Sequence, residues 1–268
     1  MTTPMSTPMS AQTATAVPVA GAPAAPARRS LAGYLITPIA LGVVCLALYL
    51  WIAGRELDSI EARSLNAQRL GTALWQHVQL AAVSTLATLV IAIPTGIVLT
   101  RPVTRRIRPA IIGVLTLAQA VPTIALLVLL AVGFAFLGFW AAIVGLVLYA
   151  IVPVLLNTMV GLEQVDRAVL ESGRGMGMSK LTVLGRIELP LAVPVILAGI
   201  RTALVINVGT ATLASYINAG GLGDIIVAGL STNRFTVQLV GATLTAVLAL
   251  LIDYLAGIAE DLLRPRGL

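Results

Sequence analysis

Asp166-Arg-Ala-Val-Leu-Glu171-Ser-Gly-Arg-Gly-Met-Gly177-Met-Ser-Lys-Leu-Thr-Val-Leu-Gly-Arg-Ile187-Glu-Leu189-Pro190 is a charged stretch set between two apolar runs. Its polar residues fall where helix ends need them. Asp166 can accept from the free N–H groups of a first helical turn, and Ser179 can do the same for a second helix. Gly175 and Gly177 break the chain between them, because glycine takes positive φ without steric penalty. Pro190 suits the first turn of the next helix, where its missing N–H is not needed. The stretch therefore reads as two short helices joined by a sharp turn. It lacks the side chains for catalysis and has the stiffness to dock a partner.

The flanking runs, Phe139–Leu162 and Leu191–Ile217, are each long enough for a spanning helix, which needs about 20 mostly apolar residues. Further runs lie at Leu31–Ala53, Trp75–Thr100, Pro109–Phe136 and Phe235–Ile258, giving six spans and an all-α integral membrane protein. Gly220–Asn233 reads as a glycine-rich break before the last run. Composition agrees: 58% of residues are hydrophobic and 10% charged, with a mean hydropathy of +0.99. A soluble domain carries about 25% charged residues. Residues 1–30 read as a disordered cytoplasmic tail, because Met1–Ala27 has no ionisable side chain and little large apolar surface. Residues 31–268 then form one transmembrane domain with the polar loop 163–190.

Cations choose the orientation. With both termini inside, twelve of the seventeen Lys and Arg residues lie on inner segments, among them Arg28, Arg29, Arg101, Arg105, Arg106, Arg108, Arg167, Arg174 and Lys180. Arg55, Arg63, Arg69 and Arg234 lie outside, and Arg201 lies within the fifth span. Cytoplasmic loops carry such an excess, so the termini and the 163–190 loop are expected in the cytoplasm. The same pattern makes nucleic acid an unneeded partner for the basic charge, and membrane lipid the expected surroundings.

Several chemistries have no residues to carry them. A phosphate-cradling loop needs Gly-Lys followed by Ser or Thr, but the one lysine, Lys180, follows Ser179. One cysteine (Cys45) and one histidine (His77) cannot build a zinc site from nitrogen and sulfur ligands. No metal or catalytic residue is assigned, and His77 reads as an interfacial histidine at the outer end of the second span. Polar residues within spans are the candidates for a translocation path: Gln119, Asn157, Asn207, Thr210 and Thr212. The alternative for each is back-bonding or packing against a neighbouring helix. Pro94, Pro122 and Pro153 are expected to kink their helices, with Pro122 counted among the path candidates. Gly220, Gly221, Gly223 and Asp224 form either an outer gate or docking loop or a plain turn. Arg201 either meets Asp253 or backbone carbonyls inside the bundle, or snorkels to the inner surface. A secondary transporter would need repeats or coupling carboxylates within the spans. Asp253 is the one carboxylate well inside a run, and no repeat is evident.

The loop resembles the EAA motif of ABC importer permeases: Glu-Ala-Ala, three residues, Gly, nine residues, Ile, one residue, Leu-Pro. Glu171, Gly177, Ile187, Leu189 and Pro190 fall in register, while Ser172 and Gly173 depart from Ala-Ala. Gln119-Ala-Val-Pro122-Thr, Tyr149-Ala-Ile-Val-Pro153, Asn207-Val-Gly-Thr-Ala-Thr-Leu and Ala219-Gly-Gly-Leu-Gly-Asp224 are similar to the osmoprotectant branch that carries glycine betaine, carnitine and choline. Methionine importer permeases share a similar Gly-Gly-Leu-Gly-Asp segment.

The resemblance implies a MetI-like permease fold in a bacterial cytoplasmic membrane. It also implies a second permease copy or paralogue, an ATP-binding subunit and an extracytoplasmic solute-binding protein. ATP would be bound by the partner subunit, and this chain would hold no cofactor. Glu171, Ser172, Gly173, Gly177 and Met178 are carried over as the element that contacts the ATPase. Aromatic residues make up only 4% of the chain. Aromatic cages hold quaternary ammonium groups, so solute recognition is expected on the separate binding protein. Methionine or ergothioneine remain alternative solutes.

Overall fold

The computed structural model describes residues 31–263, and the expected tail at residues 1–30 lies outside them. Every regular element among the described residues is helical. They run α1 (Leu31–Ala53), α2 (Ser59–Ser64), α3 (Ala67–Leu99), α4 (Arg108–Ala120), α5 (Thr123–Val128), α6 (Phe139–Glu163), α7 (Arg167–Gly175), α8 (Lys180–Val183), α9 (Leu189–Thr210), α10 (Gly223–Ser231) and α11 (Phe235–Leu263). Five helices are long and apolar enough to cross a membrane, or six if a bent pair counts as one crossing.

That pair corrects the expected third span. The run from Pro109 to Phe136 is not one helix: α4 stops at Ala120, and the chain turns 91° before Thr123–Gly133 continues. Val121 and Pro122 take extended backbone at the break, as proline biases the residue before it. The two halves still traverse the bundle. Arg108, at the start of α4, forms an ion pair with Glu163 at the end of α6. Gly138, past the second half, donates its N–H to Ile217 O at 2.8 Å, beside the start of α6. The ends of the pair thus lie at opposite ends of one spanning helix. Two other boundaries also move. The second span starts eight residues earlier than expected, so α3 is about 50 Å long at 1.5 Å per residue. The glycine-rich break contains a nine-residue helix, α10.

Helix α6 is the centre of the bundle, packed against α3 on one side and α9 on the other. Lipid tails are as apolar as leucine, so burial alone does not pull such helices together. Small residues permit the close approach instead. A Cβ on Gly96 of α3 would lie 2.9 Å from Thr158 of α6. One on Gly199 of α9 would lie 2.7 Å from Asn157 Cβ and 3.0 Å from Pro153 O. Helix α11 lies on α9, and α1 rests on α11 at the periphery. Most of α1 faces outward, with Leu35, Ile36, Ile39 and Leu50 all exposed, as a lipid-facing helix requires.

Two prolines inside spans free carbonyls that neighbouring helices satisfy. Pro153 has no N–H for Tyr149 O, and Gln119 Nε2 donates to that oxygen at 2.7 Å from α4. Pro38 leaves Tyr34 O without its helical donor, and Tyr254 Oη of α11 donates to it at 2.6 Å. The same device holds the broken helix to α6 and the peripheral helix to α11.

Candidate functional site

The 163–190 loop folds as two short helices, built by the expected caps. Asp166 accepts from Ala168 N at 2.9 Å to start α7, and Ser179 accepts from Thr182 N at 3.3 Å to start α8. The turn between them rests on one glycine. Gly177 has φ +83°, whereas Gly175 is the last residue of α7. Gly177 N donates to Arg174 O at 2.9 Å and Met178 N to Gly173 O at 3.2 Å. This is the paired bonding of a Schellman motif, which closes a helix on a left-handed residue.

α7 is held against its own span. Gly173 is buried, and a Cβ there would come within 2.6 Å of Ile187 Cδ1. Gly173 is thus a packing residue within this chain, while Glu171, Ser172 and Gly177 are exposed and Met178 is half-buried. Met176 and Leu181 present exposed apolar side chains on the same loop. α8 passes through a π turn at Leu184–Glu188 directly into α9. The helical segment from Lys180 to Ile217 is 38 residues long, so α8 runs into the fifth span without a break.

Glu188, at that junction, is 4% exposed and takes Arg101 in a bidentate pair, with contacts of 3.2 and 2.5 Å. The pair ties the base of α9 to the end of α3. Charge-assisted bidentate bonds are the strong ones. Glu188→Ala is expected to lower stability by about 2 kcal/mol, read as a lower thermal midpoint of the detergent-solubilised protein. An Arg101→Ala/Glu188→Ala double variant should lose less than the sum of the single variants. Simple additivity would show that the pair does not couple the two helices.

The opposite end of the bundle carries the glycine loop. Asn218, Gly220 and Gly221 all have positive φ, at +60°, +82° and +104°. Gly221 N donates to Gln76 Oε1, and Leu222 N donates to His77 Nδ1, both at 3.2 Å. His77 Nε2 lies 2.9 Å from Val208 O. Since Nδ1 accepts from Leu222, Nε2 is the protonated nitrogen that donates to Val208. His77 is fully buried near the start of α3, enclosed by protein. It joins α3, α9 and the glycine loop at one point. Neither His77 nor Gln76 was marked by the sequence, because their partners lie more than 130 positions away. Asp224 sits on the first turn of α10 and lines a polar recess of about 410 Å³ with Arg69, Asn66 and Gln76.

The path candidates separate by their surroundings. Asn207 is fully buried. In the amide orientation that satisfies both ends, it donates to Leu146 O at 3.2 Å and accepts from Thr85 Oγ1 at 3.0 Å. It therefore binds α3, α6 and α9 together and has no surface to offer a path in this chain. Thr210 and Asn157 are half-buried and back-bond to Ile206 O and Pro153 O. Thr212 bonds to Gly209 O. Gln119 is half-buried, and Pro122 is exposed at the bend. Arg201 takes the carboxylate partner expected of it: it grips Asp253 at 2.6 and 2.7 Å, with Glu260 at 3.7 Å. No group of residues that could hold a metal ion occurs among the described residues.

Comparison with known proteins places this geometry. A carnitine transport permease protein of Listeria monocytogenes, OpuCB, is 39% identical over 203 residues, covering 76% of this chain and 92% of its own. The choline transport system permease protein OpuBB of Bacillus subtilis is 39% identical over 198 residues, covering 72% of this chain and 88% of its own. The osmoprotectant import permease protein OsmY of Salmonella typhimurium is 38% identical over 213 residues, covering 80% and 89%. Among solved structures, the inward-facing MetNI methionine ABC transporter superposes with a TM-score of 0.64 at 23% identity, over 73% of this chain and 96% of the matched chain. That likeness concerns the fold alone. Residues 92–266, which contain the α7 loop, α9 and the glycine loop, match the family described as binding-protein-dependent transport system inner membrane component, and the chain belongs to that family.

Proposed function

We propose that the chain is the membrane-spanning permease subunit of an ATP-driven importer for small osmoprotectants of the glycine betaine, carnitine and choline class. The observation that carries this reading is the run of relatives near 40% identity whose names state carnitine, choline and glycine betaine transport. ATP binds a separate subunit, which the α7 loop docks through Glu171, Ser172 and the turn at Gly177. A second permease copy or paralogue completes the path, and an extracytoplasmic binding protein delivers the solute to the glycine-loop end. The chain itself hydrolyses no ATP and holds no cofactor.

The geometry suits a lever. A push on α7 passes through the turn at Gly177 to α8, and from there α8, the π turn and α9 are continuous. The far end of that body carries Val208 O, the acceptor for His77, and Thr212, against which Gly223 packs. Movement of the docking loop therefore reaches the glycine loop.

The test is uptake in cells lacking other osmoprotectant importers, supplied with this chain and its ATPase, second permease and binding protein. Labelled glycine betaine, choline or carnitine should accumulate, and only with the ATPase present. Uptake of methionine or ergothioneine instead would overturn the solute class. Orientation is checked separately. Reporters fused after Leu268 or inserted near Arg174 should read as cytoplasmic, and one near Gly221 as external. A cytoplasmic Gly221 reporter would contradict the six crossings.

A further inference from the structure

A cleft of about 660 Å³ opens between the α3–α4 connector and α7. Five arginines and three glutamates line it. Two of the arginines are neutralised, Arg101 by Glu188 and Arg108 by Glu163. That leaves Arg105, Arg167 and Arg174 against Glu171, with no ion pair holding these three among the described residues. The cleft is thus net positive after its internal pairs are counted.

Its lining includes Leu99 and Leu162, the last apolar residues of α3 and α6. The cleft therefore lies where the hydrocarbon ends, at headgroup level. The connector beside it is built for that level. Val103 is 88% and Ile107 54% exposed, and they alternate with Arg101, Arg105 and Arg106. Apolar side chains that enter the acyl boundary next to arginines that face phosphate are the pattern of an interfacial anchor. Basic pockets between spanning helices bind anionic headgroups.

We propose that this cleft holds the phosphate headgroup of an anionic phospholipid, clasped by Arg105, Arg167 and Arg174. The arginine fork matches phosphate geometry. Arg105 belongs to the connector, whereas Arg167 and Arg174 belong to α7. A lipid seated there bridges the docking helix to the α3–α4 connector, so its occupancy would bear on the position of α7.

The experiment uses the full-length protein in an equal mixture of dioleoyl phosphatidylglycerol and dioleoyl phosphatidylcholine, with retained lipid counted by native mass spectrometry. Phosphatidylglycerol should be retained preferentially. Arg105→Gln should lower that retention about fivefold, and Arg105→Gln/Arg167→Gln/Arg174→Gln should remove the preference, at roughly one such factor per arginine. Arg63→Gln, at the other end of the bundle, should change nothing. Arg105→Gln alone decides the matter if the triple variant does not fold. Equal retention of the two lipids, or an unchanged preference in Arg105→Gln, would overturn the proposal. So would competition by free glycerol phosphate at equal concentration, which would mark a site for soluble anions. Loss of the lipid on addition of the ATPase subunit would assign the cleft to that protein instead. None of these readings depends on which solute is carried.

Discussion

Gly223→Ala is expected to unseat α10 and the glycine loop together. A Cβ at that position would lie 2.0 Å from Thr212 O, 2.4 Å from Ser215 Oγ and 2.8 Å from the Thr212 carbonyl carbon. Two of those three atoms are backbone, so no rotamer change relieves the overlap. The 3-10 segment that carries them, Ala211–Ile217, cannot retreat either. Ala211, Ala214 and Ile217 are buried in the core with Leu80, Leu146 and Ala142. Overpacking in a tight core costs roughly 1–3 kcal/mol and sometimes more, and a clash with fixed backbone belongs at the upper end. The variant should show a markedly lower thermal midpoint in detergent and little or no uptake. Gly71→Ala is the matched control, because a Cβ there meets nothing within 4 Å. Alanine favours that helical position by about 1 kcal/mol. If Gly223→Ala melts at the same temperature as Gly71→Ala, the packing of α10 against the 3-10 segment is not as close as described.

The spans and the two-helix loop at 163–190 were legible because their signals are local. Asp166, Ser179 and Pro190 act within a few residues of themselves, and Gly177 declares its own backbone. Arg201 was also legible in part: an isolated charge in an apolar run needs a counter-charge, and Asp253 was the available one within the spans. The bend at Pro122 was hidden for the opposite reason. Hydropathy reports that residues 109–136 prefer lipid, and says nothing about the direction of the chain. The same residues serve a straight span or two half-spans equally well. Helix periodicity adds little in a membrane, where the lipid-facing and core-facing sides are both apolar. His77, Gln76 and Asn207 were hidden because each is defined by distant backbone or side-chain partners. The role of Gln119 required knowing that Pro153 frees Tyr149 O, and that α4 ends within reach of it. Gly223 gave no signal beyond its motif, since its φ is ordinary and only the approach of Thr212 O makes glycine obligatory.

The turn at Gly177 is the position where a single substitution should affect function most. Gly177→Val should abolish ATP-driven uptake while leaving the protein in the membrane at normal levels. The space around Gly177 is open, with nothing within 4 Å of a Cβ, so the penalty is conformational and not a clash. A β-branched residue at φ +83° is a strained outlier, and left-handed backbone costs an L-residue roughly 1–2 kcal/mol even without branching. The Schellman bonds from Gly177 to Arg174 and from Met178 to Gly173 depend on that backbone. Without them α7 loses its fixed angle to α8 and hence to α9. Glu171→Lys tests the same element by charge alone, because Glu171 is exposed and its replacement disturbs no packing. Both variants should insert normally, since neither position lies in a span. Both should co-purify less with the ATPase subunit, and the solute affinity of the binding protein should be unchanged. Gly177→Ala should be milder than Gly177→Val, which separates backbone strain from simple loss of glycine. Wild-type uptake by both Gly177→Val and Glu171→Lys would remove α7 as the docking element, and the lever from α7 to the glycine loop would lose its input.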